Sequence, residues 1–405
     1  MDLKSGYPFW AIKNGLMGAF PPLAVDLDCD VAIVGGGISA ALIARELSSH
    51  GHEVAVFERR DIGWGSTSAS TAMLQYEIDT PLIDLAKRYG ETEAVRAYRA
   101  CADAIPALGA VAHEVRDVDF ANNDSLYYAS RTGHVASMRE EFELREKHGF
   151  PVNWLTRGAV NGRYGIAAPA AILNRLGARI DPYRLTWRLF KKMQRMGVRI
   201  FDRTTIATID ASRRRVTLTT ESGLTVRAGH VVLASGYESQ RWLPKRVAKN
   251  RSSYAYISDP IEPDALGALA DTLVWESARP YLYLRTTGDG RLLVGGEDDA
   301  IDIPARRDSR VKKKAERLQR RIASLLPHLA AEPAFAWGGT FAETADGLPF
   351  FGAHPATGPR LLFAMAYGGN GISYSMAGAP LLRAGIERRR HPLRTIFGFG
   401  RMERH

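Results

Sequence analysis

The 405-residue chain has only two cysteines, Cys29 and Cys101. Two thiols can neither build a disulfide framework nor supply a multi-cysteine metal cluster. The ten histidines are scattered, with no HExxH or HxH pair, so no bound metal is expected. No apolar run approaches the roughly 18–20 residues that cross a bilayer. Residues 1–22 carry Asp2 and Lys4 and are broken by Pro8, Asn14, Pro21 and Pro22. That is a poor secretory leader, and a cytoplasmic location is expected. Internal repeats and low-complexity tracts are missing too. What remains, 45% hydrophobic and 24% charged residues, is the composition of a folded globular protein, long enough for two domains or one large α/β domain.

The formal net charge of +10 raises the question of a polyanionic partner. Much of the excess sits in residues 306–321 and 388–401. Within the first, Val311, Ala315, Leu318, Ile322 and Leu325 follow the 3–4 spacing of an amphipathic helix, whose basic residues would then form a solvated face. No aromatic side chain interrupts the run as a base-stacking platform would require. Nucleic acid is not the expected partner.

The first strongly patterned segment is Asp30-Val31-Ala32-Ile33-Val34, a short β-branched run suited to a buried parallel strand. It enters Gly35-Gly36-Gly37-Ile38-Ser39-Ala40 and a helix to about Ser49. A second strand follows, Glu53-Val54-Ala55-Val56-Phe57-Glu58. This is a βαβ unit for a dinucleotide. Gly35 permits the tight turn, Gly37 a close approach of the pyrophosphate, and Ala40 and Ala44 close helix packing. The helix N-terminus offers N–H groups and positive dipole to the phosphates. Glu58, at the carboxyl end of the second strand, can accept hydrogen bonds from both ribose hydroxyls.

Two further features select a flavin dinucleotide. Residues 59–74 are rich in small and hydroxyl side chains, a segment that can follow a long cofactor. Near the C-terminus, Trp337-Gly338-Gly339-Thr340-Phe341 precedes a strand at 361–364 and then Tyr367-Gly368-Gly369-Asn370-Gly371-Ile372-Ser373, which opens a helix to about Ile386. A second glycine-rich helix N-terminus suits a redox ring that gains negative charge at N1 and the C2 carbonyl on reduction.

In this order the segments resemble the glycine oxidase, D-amino-acid oxidase and sarcosine oxidase superfamily, most of all its gamma-glutamylputrescine oxidoreductase-like branch. Residues 30–74, Ala178-Arg179-Ile180-Asp181-Pro182-Tyr183-Arg184-Leu185, Val231-Val232-Leu233-Ala234-Ser235-Gly236 and the 337–373 block carry the resemblance. It implies an α/β fold: a Rossmann-like FAD-binding domain of glutathione-reductase type with an interleaved antiparallel-sheet substrate domain. The expected division is an N-terminal arm at 1–26, a cofactor domain at 27–90, 154–239 and 333–405, and a substrate domain at 91–153 and 240–332. Substrate-domain strands are expected at 251–258, 281–286 and 291–295.

The residues expected on FAD are Gly35, Gly36, Gly37, Ile38, Ser39, Glu58, Arg59, Gly65, Ser66, Thr67, Ser68, Thr71, Ala72, Ile206, Ala234, Ser235, Gly236, Gly339, Gly368, Gly369, Asn370, Gly371 and Ile372. Neither cysteine lies in the C-terminal block where some relatives attach flavin, so noncovalent FAD is expected.

The resemblance implies oxidation of a C–N bond in an amine or amino-acid-like small molecule, by hydride transfer to flavin N5. The electron acceptor, oxygen or another, is left open. Relatives that oxidise glycine or D-amino acids hold the substrate carboxylate with an arginine just after Trp-x-Gly, where this chain has Thr340-Phe341. Sarcosine-oxidising relatives place a lysine after the last glycine turn, where it has Ser373. Both anchors are missing, and a buried unpaired carboxylate costs several kcal/mol. Arg285, on an expected substrate strand, is a candidate replacement. Tyr254, Tyr256, Tyr281 and Tyr283 recur at period two on two strands and could seat a cationic amine. Asn370, Arg285 and Tyr256 are the candidate catalytic groups, and Trp64, Tyr254, Tyr256, Tyr283 and Phe341 the candidate substrate lining. Two other readings stay open: action on an aminoalkyl-modified tRNA base, and a flavin-binding protein without catalysis.

Overall fold

The computed structural model describes residues 2–300 and 302–404, with the side chains of residues 403–404 left out. Two sheets organise the chain. In the first, strand order is Phe350–Ala353, Leu361–Met365, Thr225–Leu233, Leu27–Val34, Val54–Phe57 and Arg199–Phe201. Its central pairings are parallel. Parallel strands need both faces covered, and the sequence supplies this with fully apolar runs: Val54–Phe57 is buried at every residue. Helix Ile38–Ser48 packs with Gly371–Ile386 and Pro182–Arg195, and Glu91–Val115 lies against the same group. The hairpin Ile206–Ala211/Val216–Thr220 extends the sheet through Thr225–Leu233.

The second sheet runs Pro333–Thr344, Ala248–Pro260, Arg291–Asp299, Leu282–Thr286, Thr272–Glu276, Ala121–Tyr128, Ala170–Arg179 and Met73–Gln75, with Val152–Thr156 also on Ala170–Arg179. It is antiparallel except where Thr272–Glu276 meets Ala121–Tyr128. Helix Pro304–Leu325 covers one of its faces, burying Ala315, Leu318 and Ile322 as the spacing required. Its basic residues are not all solvated, however. Arg307 and Lys314 are buried: Arg307 donates to Asp2 O and Thr340 Oγ1, and Lys314 pairs with Asp299.

The expected domain limits need correction on strand membership. Ala170–Arg179 and Pro333–Thr344, allotted to the cofactor unit, and Met73–Gln75 all pair within the second sheet. Helix Glu91–Val115, allotted to the substrate unit, packs into the core shared with Ile38–Ser48. Cuts in a sequence follow local composition, whereas strand partners here come from segments far apart along the chain. The N-terminal arm is also more than an appendage. Lys4 forms a bridge to Gly339, helix Phe9–Asn14 packs against the cofactor side, and Phe9, Trp10 and Phe20 enter the main core. No helix among the described residues is long and apolar enough to cross a membrane.

Candidate active site

A cavity of about 890 Å³ lies between the sheets, reaching from the Gly35 turn to Tyr281. Its first end is built by the βαβ unit. Gly35 has φ +120°, and a Cβ there would stand 2.3 Å from Ala234 O. At Gly36 a Cβ would meet Glu58 Cβ at 2.7 Å. Only glycine admits both the turn and the close packing. The Glu58 carboxylate accepts from Gly36 N at 2.7 Å and Arg60 N at 2.8 Å. Burial pushes its carboxyl upward in pKa, while those N–H groups and the Arg60 and Arg59 charges pull it back. Gly37 caps helix Ile38–Ser48 without a side-chain cap, and Ile38 N donates to Thr67 Oγ1 at 3.0 Å. The turn, the helix end and the carboxylate all border the cavity.

The hydroxyl-rich loop is held from behind. Trp337 Nε1 donates to Ala69 O at 2.9 Å, Trp10 Nε1 to Ser70 O at 2.7 Å, and Arg285 Nε to Thr71 O at 2.6 Å. Three consecutive carbonyls are thus gripped by three side chains from different elements. Arg285 is fully buried and also donates to Thr286 O and Ile180 O; burial lowers it to about 10. It does not border the cavity. The expected substrate anchor is instead a strut of the loop, because its planar fork of donors is spent on three carbonyls.

The second helix N-terminus, at Gly371–Ile386, closes the middle of the cavity. Gly368 has φ +90°, and a Cβ on Gly369 would lie 2.9 Å from Asp79 Oδ1. Gly369 N donates to Asp79 Oδ2 at 2.7 Å, and Asn370 Nδ2 to Gln75 O and Glu77 O at 3.0 and 2.8 Å. Asn370 borders the cavity, but its amide nitrogen ties the turn to the Met73–Gln75 strand end. Burial pushes Asp79 upward in pKa, opposed by the Gly369 N–H.

At the far end the tyrosine pattern divides. Tyr256 is fully buried beneath helix Pro304–Leu325 and does not reach the cavity. Tyr254 touches the rim, but its ring joins the same cluster and its hydroxyl donates to Asp299 at 2.8 Å. Period two says which residues share a face, not which face turns inward; on this strand Ser253 and Ala255 border the cavity. Tyr281 and Tyr283 do face it, as do Trp64 and Phe341. Ser68 also departs from expectation: its hydroxyl donates to Gly65 O at 3.0 Å and it does not border the cavity. The other expected cofactor residues all border it, from Gly35 to Ile372.

Four groups escaped the sequence reading. Arg279 stacks on Tyr281 with its guanidinium 3.7 Å from the ring centroid, and Arg251 pairs with Glu343 at 2.5 Å. Asp298 borders the cavity with Oδ1 sealed and without a hydrogen-bond partner. Trp10 had no motif around it. A strand ending in an acid beside a tyrosine strand was the one available signal, for Asp298.

A glycine turn with no room for a Cβ, a carboxylate at the second strand end, and a second helix N-terminus along one continuous cavity fit an FAD-sized ligand. Gly35, Gly36, Gly37 and Glu58 would hold its ADP half, and the loop at 65–72 and the turn at 368–372 its ring. Cys29 and Cys101 are both buried outside the cavity lining.

The family profile described as FAD dependent oxidoreductase (DAO) matches residues 30–384. The chain is 29% identical over 375 residues to the glycine oxidase of Geobacillus kaustophilus, covering 89% of this chain and 93% of that protein. It is 24% identical to the gamma-glutamylputrescine oxidoreductase of Escherichia coli, over 94% of this chain and 89% of that one. Among solved structures, L-proline dehydrogenase from P. horikoshii superposes with TM-score 0.79 at 18% identity, over 94% and 99% of the two chains. With the profile spanning most of its length and the dinucleotide cavity in place, the chain belongs to the DAO family of FAD-dependent oxidoreductases.

Proposed function

We propose that this enzyme oxidises a C–N bond of an amine or amino-acid-like small molecule. The observation that carries the reading is the far end of the cavity, where Tyr281, Tyr283 and Trp275 wall a compartment continuous with the cofactor end. Aromatic faces attract a cationic nitrogen and exclude water from it. The relatives support the same chemistry: those reported above are named for glycine, gamma-glutamylputrescine and L-proline.

Bound FAD supplies the hydride acceptor at N5. The protein's part is positioning. The grip on Ala69, Ser70 and Thr71 fixes the loop that would flank the ring, and the Gly371–Ile386 N-terminus would offer positive dipole to negative charge developing on it. Ser373, where some relatives carry a lysine, donates to Gln75 O at 3.3 Å, and Thr340 is engaged by Arg307 and Asp302. Neither supplies a cation. Arg279, exposed at the rim, is the residue we assign to an acidic group on the substrate, in place of Arg285.

The test is anaerobic mixing of the FAD-loaded protein with primary and secondary amines, polyamine conjugates, and D- and L-amino acids. Loss of the oxidised-flavin absorbance with at least one compound is expected. Loss with none of them refutes the proposal. Admitting air to the bleached protein then separates an oxidase from a dehydrogenase.

A further inference from the structure

Asp298 is a carboxylate on the cavity wall that, among the described residues, only Ser253 hydrogen-bonds and no ion pair neutralises. It stands next to last on the strand Arg291–Asp299, half-buried and on the cavity wall; Oδ1 is turned into the protein without a hydrogen-bond partner, which leaves the rest of the carboxylate toward the cavity. Beside it stand Ser253, from the neighbouring strand, and the Tyr283 ring. That ring is placed by Gly295, where a Cβ would lie 2.3 Å from Tyr283 Cζ, so the ring lies flat across the strand. The Tyr283 hydroxyl in turn sits beside Ser253 and Thr71, the latter in the flavin-side loop. A chain of polar groups therefore runs from Asp298 to the loop that flanks the ring, and it borders the compartment assigned to substrate.

We propose that Asp298 binds the ammonium group of the substrate and acts as the catalytic base that takes its proton. The inference rests on the amine reading above and narrows it to primary and secondary amines that enter as cations. An ammonium nitrogen has no lone pair and cannot assist departure of a hydride from its carbon. Transfer of the proton breaks one N–H bond and forms one O–H bond on Asp298. The freed lone pair then becomes the new C=N bond as the neighbouring carbon loses its hydride to the acceptor already named. Tyr283 and Ser253 orient the pair.

Charged and titratable groups from each neighbouring element set the response to pH. Burial pushes Asp298 up to about 6; Asp79 and Glu343 add to this, while Ser253 and Lys314 oppose it. Tyr283, itself pushed to about 12, stays neutral. Asp298 is thus a carboxylate at pH 8 and largely protonated at pH 5, and a cation should bind in the first state and not in the second.

The experiment uses FAD-loaded protein and tert-butylamine, a cation whose nitrogen-bearing carbon has no hydrogen to lose, titrated by calorimetry at pH 5 and 8. Wild-type affinity should fall about 10-fold at the lower pH. Asp298→Asn should bind at least about 30-fold more weakly and with no pH dependence, its flavin spectrum unchanged. With an oxidisable amine, its bleaching rate should recover as pH rises toward the pKa of the amine itself. Equal affinity in the variant, or wild-type affinity flat between pH 5 and 8, overturns the proposal. If Asp298→Asn does not load FAD, the wild-type titration decides alone. Cation binding that tracks Asp298 in a protein bleached by no amine would sink the reaction and keep this site. Bleaching unaltered by the substitution would do the reverse.

Discussion

Asp298 should also weaken the fold it serves, and the size of that effect follows from its surroundings. An ordinary aspartate titrates at 3.8, and burial raises this one to about 6. The gap of about 2 units, at about 1.36 kcal/mol each, makes the ionised form about 3 kcal/mol less welcome in the folded protein than in the unfolded chain. Because the folded value is the higher one, the protonated carboxyl is favoured by folding. That stability is present below the unfolded value and lost as pH rises through 6. Asp298→Asn removes the titration, so the variant should gain about 3 kcal/mol over wild type at pH 8. At pH 4.5 only about 1 kcal/mol should remain. With an unfolding entropy of about 2 cal/mol/K per residue, the pH 8 gain corresponds to a Tm rise of about 3–4 °C for a chain this long. Scanning calorimetry of the FAD-loaded proteins at both pH values reads it directly. No rise at pH 8, or the same rise at both, would show that the carboxylate is not strained.

Other perturbations separate the roles assigned above. Glu58→Gln keeps the shape but not the charge, and should weaken FAD binding about 10- to 100-fold with the fold intact, read by flavin fluorescence on dilution. Arg285→Met strands the carbonyls of Thr71, Thr286 and Ile180. It should cost about 3 kcal/mol or more in urea denaturation and leave the KM for the amine unchanged in protein kept saturated with FAD, the opposite of a substrate anchor. Gly295→Ala drives a Cβ into the Tyr283 ring and should raise the KM about 10-fold without loss of FAD, seen by steady-state kinetics. Trp10→Phe removes the N–H to Ser70 O but keeps ring packing, and should lower FAD affinity by about 3- to 10-fold.

What could be read from the sequence was what the chain does over short distances. Gly35 and Glu58 stand in one βαβ unit, so their geometry is set by local spacing, and the structure places both on the cavity. The basic helix was equally local: Ala315, Leu318 and Ile322 are buried along Pro304–Leu325 at the spacing expected of them. The failures are all questions of facing or of distant pairing. Ala248–Pro260 is covered on one side by helix Pro304–Leu325 and faces the cavity on the other, so alternation alone could not decide between Tyr256 and Ser253. Arg285 carried a charge on a strand near the site, a fair description of an anchor; the carbonyl that claims it lies 214 residues away.

The loop at 69–71 shows why that limit matters for function. Its carbonyls are held by donors 268, 60 and 214 residues distant in sequence. Those donors sit on a second-sheet strand, the N-terminal arm and another second-sheet strand. The loop itself leaves the first sheet and must carry the backbone past the flavin ring. Each carbonyl so engaged is fixed in direction by its donor, which a loop short of bulky side chains could not achieve by packing alone. The second sheet therefore does two things at once: it supplies the compartment with Tyr283 and Asp298, and it clamps the segment against which the ring would rest. The same strands would thereby set the placement of both the substrate and the ring. The two tasks nevertheless fall to separate side chains of Leu282–Thr286: Arg285 holds the loop carbonyl and Tyr283 borders the compartment, so the two, only two residues apart, are expected to fail in different assays.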